Sequence, residues 1–263
     1  MKKVIFTLAF LIIVIGQAQA DMFDMKDIPE KEILTYRFLY KGIDLARPNL
    51  KPFNTRYMAA EAAVGAEYVL QRVSDDQGEH LEVIVSVLSQ NKYTIRHYFK
   101  FKPGPKMNVS YYEKTVLLPS GKKIRTEAYD LSESIPAFPN EIAHPLILPI
   151  FFRGLDFVSG KSRDFYLWLN PMLIMAMKVV VKGEEDVTVP AGTIRCYRLE
   201  MEPDMVDFGG DVIGRVLKPF VPKYTFWLDK KAPHSLVKYR GPFGQINSAV
   251  APTETFELTK AKY

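Results

Sequence analysis

Along most of this chain apolar side chains recur at every second position, and turn chemistry interrupts the runs before any grows long. Leu34, Tyr36, Phe38 and Tyr40 alternate with Thr35, Arg37 and Lys41. Val64, Ala66, Tyr68 and Leu70 alternate with Gly65, Glu67 and Gln71. Leu81, Val83, Val85 and Val87 share one face; Tyr93, Ile95, His97, Phe99 and Phe101 share another, opposite Thr94, Arg96, Tyr98 and Lys100. Successive side chains of a strand point to opposite faces, so this pattern predicts β structure with one apolar and one wet face.

The turns fix the pairing sense. Ser74-Asp75-Asp76-Gln77-Gly78, Pro119-Ser120-Gly121-Lys122 and Pro190-Ala191-Gly192 each place Pro or Gly where a reversal needs a preset or positive φ. Strands joined in sequence by such short turns pair antiparallel. The expected fold class is mainly β: a single curved antiparallel sheet or half-open β-barrel with one or two short helices. Two stretches break the period. Glu141–Phe157 is dense in apolar residues and suits a short helix or a buried crossing segment, and Pro145 and Pro149 forbid one long regular helix. Asp207–Phe220, with Val212, Ile213, Val216 and Leu217, reads as a short amphipathic helix that Pro219 stops.

The first twenty residues follow another rule. Lys2 and Lys3 precede an apolar run from Val4 to Ile15, and Ala18-Gln19-Ala20 is a small-x-small cleavage pattern. That order is expected of a secretory signal peptide cut after Ala20. The apolar run would rise only about 18 Å as a helix, short of a hydrocarbon core about 30 Å thick. The expected organisation is residues 1–20 signal peptide, 21–30 flexible lead-in and 31–263 a single β-rich domain, in the periplasm, with no membrane span in the mature chain. Without Lys2 and Lys3 the chain holds 33 basic against 30 acidic residues, a balance near neutral. With no Lys/Arg block, nucleic acid is not an expected partner. The single Cys196 cannot pair within the chain and reads as a packed strand cysteine.

Patterns that carry chemistry are sparse. His80, His97, His144 and His234 include no pair three or four residues apart, and HExxH, CxxC and GxSxG are absent. His97 reads as a satisfied sheet histidine. Gly154 to Ser162 resembles a phosphate loop but holds five residues between its glycines where four are needed, so it reads as a turn. Glu184-Glu185-Asp186 is expected to be a solvated turn. No catalytic residue, metal site or cofactor is expected.

What exceeds the needs of a plain sheet is the apolar surplus in the middle of the chain. Phe151, Phe152, Phe165, Trp168, Met172, Met175 and Trp227 are the candidate lining of a cleft inside the curved sheet. Flexible Met and flat aromatic side chains accept acyl or lipid groups, and a half-closed antiparallel sheet offers a cavity at its mouth.

Val187-Thr188-Val189-Pro190-Ala191-Gly192-Thr193-Ile194-Arg195-Cys196-Tyr197-Arg198-Leu199-Glu200 resembles the bacterial exported family called domain of unknown function 3108. Pro145-Leu146 through Arg153 with Gly160, Phe226-Trp227-Leu228-Asp229, Leu236-Val237-Lys238-Tyr239, and Tyr36-Arg37-Phe38 ending at Gly42-Ile43 also match it. Asn49–Arg56 and Asp204–Pro222 depart from it. The resemblance implies an envelope protein on a curved antiparallel sheet, similar to periplasmic lipoprotein carriers, with no established activity or catalytic residues. The first functional expectation is therefore a non-enzymatic periplasmic protein that binds an apolar ligand, a lipid or acyl chain, in the curved sheet. The alternative is an envelope adaptor or structural protein that binds another protein through a sheet edge or the Asp207–Phe220 segment. A third reading is a hydrolase using Asp156, Asp164 or His144.

Overall fold

The computed structural model describes residues 28–40, 43–44, 63–76, 78–89, 92–102, 108–131, 142–170, 173–204, 223–242 and 253–263. The signal-peptide pattern, Met172, Asn49–Arg56 and Asp207–Phe220 lie outside them. The strands are β1 (Lys31–Tyr40), β2 (Ile43–Asp44), β3 (Ala63–Asp75), β4 (Gly78–Ser89), β5 (Thr94–Lys102), β6 (Asn108–Leu117) and β7 (Lys123–Asp130). After them come β8 (Ile142–Ala143), the helical turn α1 (Leu148–Phe151), β9 (Ser162–Asn170), β10 (Leu173–Val189), β11 (Gly192–Pro203), β12 (Tyr224–Asp229), β13 (Leu236–Pro242) and β14 (Thr253–Lys262).

All the strands belong to one sheet in the order β7-β6-β5-β4-β3-β1-β14-β13-β12-β11-β10-β9-β8, with β2 paired to β1. Neighbours are antiparallel except for the short parallel pair β8–β9. The sheet is two meanders, β3 to β7 and β9 to β14, joined through β1, which pairs with β3 on one side and β14 on the other. The path is open, yet Tyr112 of β6 and Trp168 of β9, one strand in from opposite ends, lie with ring centroids 5.7 Å apart. The sheet therefore curls until its two ends meet through side chains, as a half-open barrel.

The alternation read from the sequence sets the inner face. Leu34, Tyr36 and Phe38, then Ala66, Tyr68 and Leu70, and then Leu81, Val83, Val85 and Val87 are all buried. The expected hairpins are present, with Gly78, Gly121 and Gly192 at positive φ. The lead-in is tied down by residue 28: Ile28 is buried, and its carbonyl accepts from Arg72 Nη2 at 2.8 Å. One expectation is corrected. Glu184-Glu185-Asp186 is not a turn but part of β10, which continues past a register shift at Gly183 (φ +129°) and pairs with β11 as far as Val189. A glycine absorbs that shift without strain, so the strand runs on where the charge density suggests a stop.

From His144 to Gly154 the chain crosses the concave side. Pro145–Ile147 and Phe152–Gly154 are 3₁₀ turns flanking α1. Pro145 and Pro149 each sit at the start of a turn, where a missing N–H costs nothing. Ile147, Phe151 and Phe152 are fully buried.

Close approach also marks Gly241 on β13. A methyl there would meet Tyr239 Oη at 2.7 Å and Tyr224 Cδ1 at 3.2 Å. Both rings are buried, and Tyr239 Oη donates to the Pro242 carbonyl, so neither can yield freely. We expect Gly241→Ala to lower the unfolding free energy by about 1–3 kcal/mol, the usual cost of overpacking, as measured by urea titration.

Candidate functional site

The concave side of the sheet holds three side-chain clusters, and the crossing segment contributes to each. The first is aromatic. Phe151 packs on Phe152 and Phe165 with ring centroids 6.0 and 5.3 Å away. Phe152 packs edge-on to Phe165 at 5.8 Å and to Phe226 at 5.0 Å. Met177 stands opposite Phe165, and Met175 opposite Leu167, on the β9–β10 ladder. Of the lining set read from the sequence, Phe151, Phe152 and Phe165 are thus brought together, with Met175 buried one pair further along. They touch one another, and the space between them is filled by their own rings.

Trp168 and Trp227 are elsewhere. Trp168 joins a second cluster with Tyr112 and with His144, 5.5 Å away. Trp227 is half-buried on the opposite side of β12 from Phe226 and Leu228. Its indole N–H donates to Glu185, and Lys238 Nζ lies 5.9 Å over its ring.

The second cluster sits where the ends of the sheet meet. His97 Nδ1 is 3.0 Å from Tyr112 Oη, and Phe99 stacks on Tyr112 at 4.9 Å. His144 Nδ1 accepts the Leu146 N–H at 3.2 Å and so caps the first 3₁₀ turn. The histidine rings are 6.5 Å apart. Burial, reinforced by Lys114, pushes His97 down to about 3. Burial, reinforced by His97, does the same to His144. Both are neutral fixtures of the interior. The residues named for hydrolysis are not assembled into a site: His144 is committed to its turn, while Asp156 and Asp164 are exposed and Asp164 pairs with Lys178 at 3.5 Å.

The third cluster is polar. Arg153, at the end of the crossing segment, donates from Nη2 to Glu32 Oε2 at 2.6 Å; their side chains are 6% and 1% exposed. Ser235 Oγ donates to the other Glu32 oxygen and lies 3.2 Å from Tyr263 Oη. Tyr36 Oη donates to the Leu236 carbonyl at 2.8 Å. Arg153 Nε and Nη1 are buried without a protein acceptor. Arg153 also lines a cavity with Glu32, Leu34, Tyr36, Tyr68, Leu70, Pro149 and Ile150, whose interior has about 10 Å³ for the centre of a water molecule, room for about one.

No spacing rule leads to this cluster, because 121 residues separate Glu32 from Arg153. Two signals do exist. Glu32 continues the inward row Leu34, Tyr36, Phe38, and a carboxylate in such a row needs a partner. Arg153 is the one cation in the apolar crossing segment. Glu254 likewise continues the inward row Phe256, Leu258, and burial raises its carboxyl to about 7. The Cys196 thiol, raised to about 12 first by burial and then by Asp229, is inert, as its strand position suggests. Among the described residues no helix is long and apolar enough to cross a membrane.

Two outcomes follow from these environments. Removing one partner of a buried ion pair strands the other charge, so Glu32→Gln should cost about 3–5 kcal/mol, whereas the apolar double variant Glu32→Leu with Arg153→Met should cost far less. Urea denaturation of the three variants checks this. The second outcome concerns pH. The unfolded histidines bind protons below about 6.5 and the folded ones only near 3, so their contribution is complete above 6.5 and is lost as the pH falls towards 3. Glu254 works oppositely between its ordinary 4.5 and about 7, where the folded state holds the proton. Below pH 6 the two histidines outweigh the one carboxyl, and stability should fall. His144→Asn, which keeps a capping side chain, should flatten that fall by up to about 1.4 kcal/mol per pH unit, read from melts at pH 4 and 6.

No family model matches the chain, and no curated protein does. The likeness to domain of unknown function 3108 therefore stays a likeness of turn and strand pieces. Among solved structures the chain is similar to a β-barrel-like protein of domain of unknown function 1849 from Brucella abortus, at 9% identity over 88% of this chain and 96% of that one, with a TM-score of 0.39. It is also similar to the hypothetical lipoprotein YmcC from Escherichia coli, at 12% identity over 92% of this chain and 90% of that one, with a TM-score of 0.32. At this level of likeness neither assigns a function to the chain.

Proposed function

We propose that this chain is an exported, non-enzymatic envelope protein that works as an adaptor or structural component, engaging another protein through its outer surface and sheet edges. Export rests on the N-terminal pattern Lys2-Lys3, Val4–Ile15 and Ala18-Gln19-Ala20. The observation that carries the adaptor reading over the carrier reading is the close packing of the concave side among the described residues. Phe151, Phe152 and Phe165, three of the side chains that could line an acyl-chain cleft, are packed on one another, at 0%, 0% and 1% exposure. An apolar ligand would have to displace the crossing segment, and each large side chain re-exposed costs about 1.5–3 kcal/mol. A single acyl chain recovers only part of that, since association carries its own cost. The groups that could do chemistry are committed too: His144 caps a turn and Cys196 is held protonated.

Native mass spectrometry after gentle extraction from the envelope tests this. The expected spectrum carries the protein mass without lipid; a stoichiometric lipid complex overturns the adaptor reading and restores the carrier. A second measurement separates core from lining. Phe152→Ala should lower the unfolding free energy by about 3–5 kcal/mol, as for a core ring, whereas a residue facing an open cleft would change it by about 0.5 kcal/mol or less.

A further inference from the structure

The two ends of the sheet are unequal. One ends in β8, two residues long and parallel to its neighbour. The other ends in β7, an eight-residue strand, KIRTEAYD, that pairs with β6 on one side. Among the described residues nothing pairs with its other side, and every residue in it is exposed or half-buried. A long edge of this kind presents a row of ladder N–H and C=O groups, which other strands join unless something prevents it.

We infer that β7 pairs antiparallel with β7 of a second copy of this chain, about a two-fold axis passing through Thr126. A two-fold axis perpendicular to the sheet keeps the inner face of both copies on the same side, so residues directly opposite must share a face. That allows only registers in which an odd position meets an odd one and an even an even. With Thr126 on the axis, Arg125 stands opposite Glu127 of the second copy, and Glu127 opposite its Arg125. Thr126 stands opposite its own counterpart; Ile124, skipped where the β6–β7 register shifts between Val116 and Leu117, lies outside the regular ladder, which runs from Arg125 to Asp130. Opposite charges and threonine pairs are among the cross-strand combinations that stabilise antiparallel sheets.

The neighbouring allowed registers fail. Centring on residue 125 sets Arg125 against Arg125, and centring on 127 sets Glu127 against Glu127; like charges directly opposite are destabilising. The strand is thus self-complementary in one register and self-repelling one step either way. The groups involved are accessible. Arg125 is 72% exposed and reaches Glu127 of its own strand at 2.5 Å, which places both charges on one face. Ile124, 56% exposed, sits at the register shift just before this ladder. An isologous contact of this kind closes on itself as a dimer and leaves no free long edge to propagate.

Sedimentation equilibrium of the mature full-length chain over a concentration series tests the pairing. The expected result is a reversible dimer. Arg125→Glu should weaken dimerisation by about tenfold or more, because two attractive pairs become repulsive, and adding Glu127→Arg to it should restore the affinity to within a few-fold of the original. Register is read separately: Thr126→Cys should cross-link to its own counterpart under mild oxidant, while Ile124→Cys should not. Cys196 is buried and does not compete. A monomer at every concentration, a dimer indifferent to Arg125→Glu, or cross-linking through position 124 in place of 126 overturns the inference. The adaptor reading does not depend on this contact: a monomer would leave it standing, and a lipid-loaded dimer would overturn it while the pairing held.

Discussion

A sheet whose strands alternate apolar and polar residues has one face that must be covered, and here most of that work falls to a single stretch of chain. The crossing segment from His144 to Gly154 lies against β1, β3, β5, β6, β9 and β12 through His144, Pro149, Ile150, Phe151, Phe152 and Arg153. A sheet curled around nothing would leave rows of Tyr, Phe and Leu facing water; curled around this segment it becomes a packed core. The same segment bridges the gap between the two ends of the sheet. Strand pairing does not join β7 to β8, so the meeting of Tyr112, His144 and Trp168 takes its place, and the segment that fills the interior also ties the seam.

The prolines explain how so short a segment can do this. Each begins a turn, where its lost donor is not missed, and each prevents the turns from merging into one straight helix. A straight helix would present one stripe to the sheet. A chain of 3₁₀ turn, α turn and 3₁₀ turn directs apolar side chains to several walls, and delivers a guanidinium to Glu32 at its far end. The ion pair then acts as a register pin. Two buried charges paired with each other gain little over an apolar pair of the same size, but either one misplaced costs several kcal/mol, so the pair penalises every packing except the one that unites them.

The edges obey a different logic. One end of the sheet is blunted by its brevity and by parallel pairing. The other is open, carries basic residues in its first half and acidic ones in its second, and is self-complementary about Thr126. Charged side chains on an exposed strand are the ordinary defence against indiscriminate pairing; arranged as Arg125 and Glu127 are, they admit one alignment and reject its neighbours.

Period and turn chemistry were legible along the chain. The alternation of Leu34–Phe38, Ala66–Leu70 and Leu81–Val87, with Gly78, Gly121 and Gly192 at their turns, determined a mainly antiparallel sheet with a known inner face, because strand geometry and positive φ are local properties. Where local signals compete, they mislead: Glu184-Glu185-Asp186 reads as a turn by charge, but Gly183 lets β10 run on. Only the tertiary structure decided where the apolar surplus goes. A sequence states that Phe151, Phe152, Phe165 and Trp168 are apolar, and a core and a cleft need the same side chains; which one they form depends on whether another part of the chain occupies the space they enclose. Partners such as Glu32 and Arg153, or Tyr112 and Trp168, lie far apart along the chain and meet only because the sheet curls, and no residue carries that curvature alone.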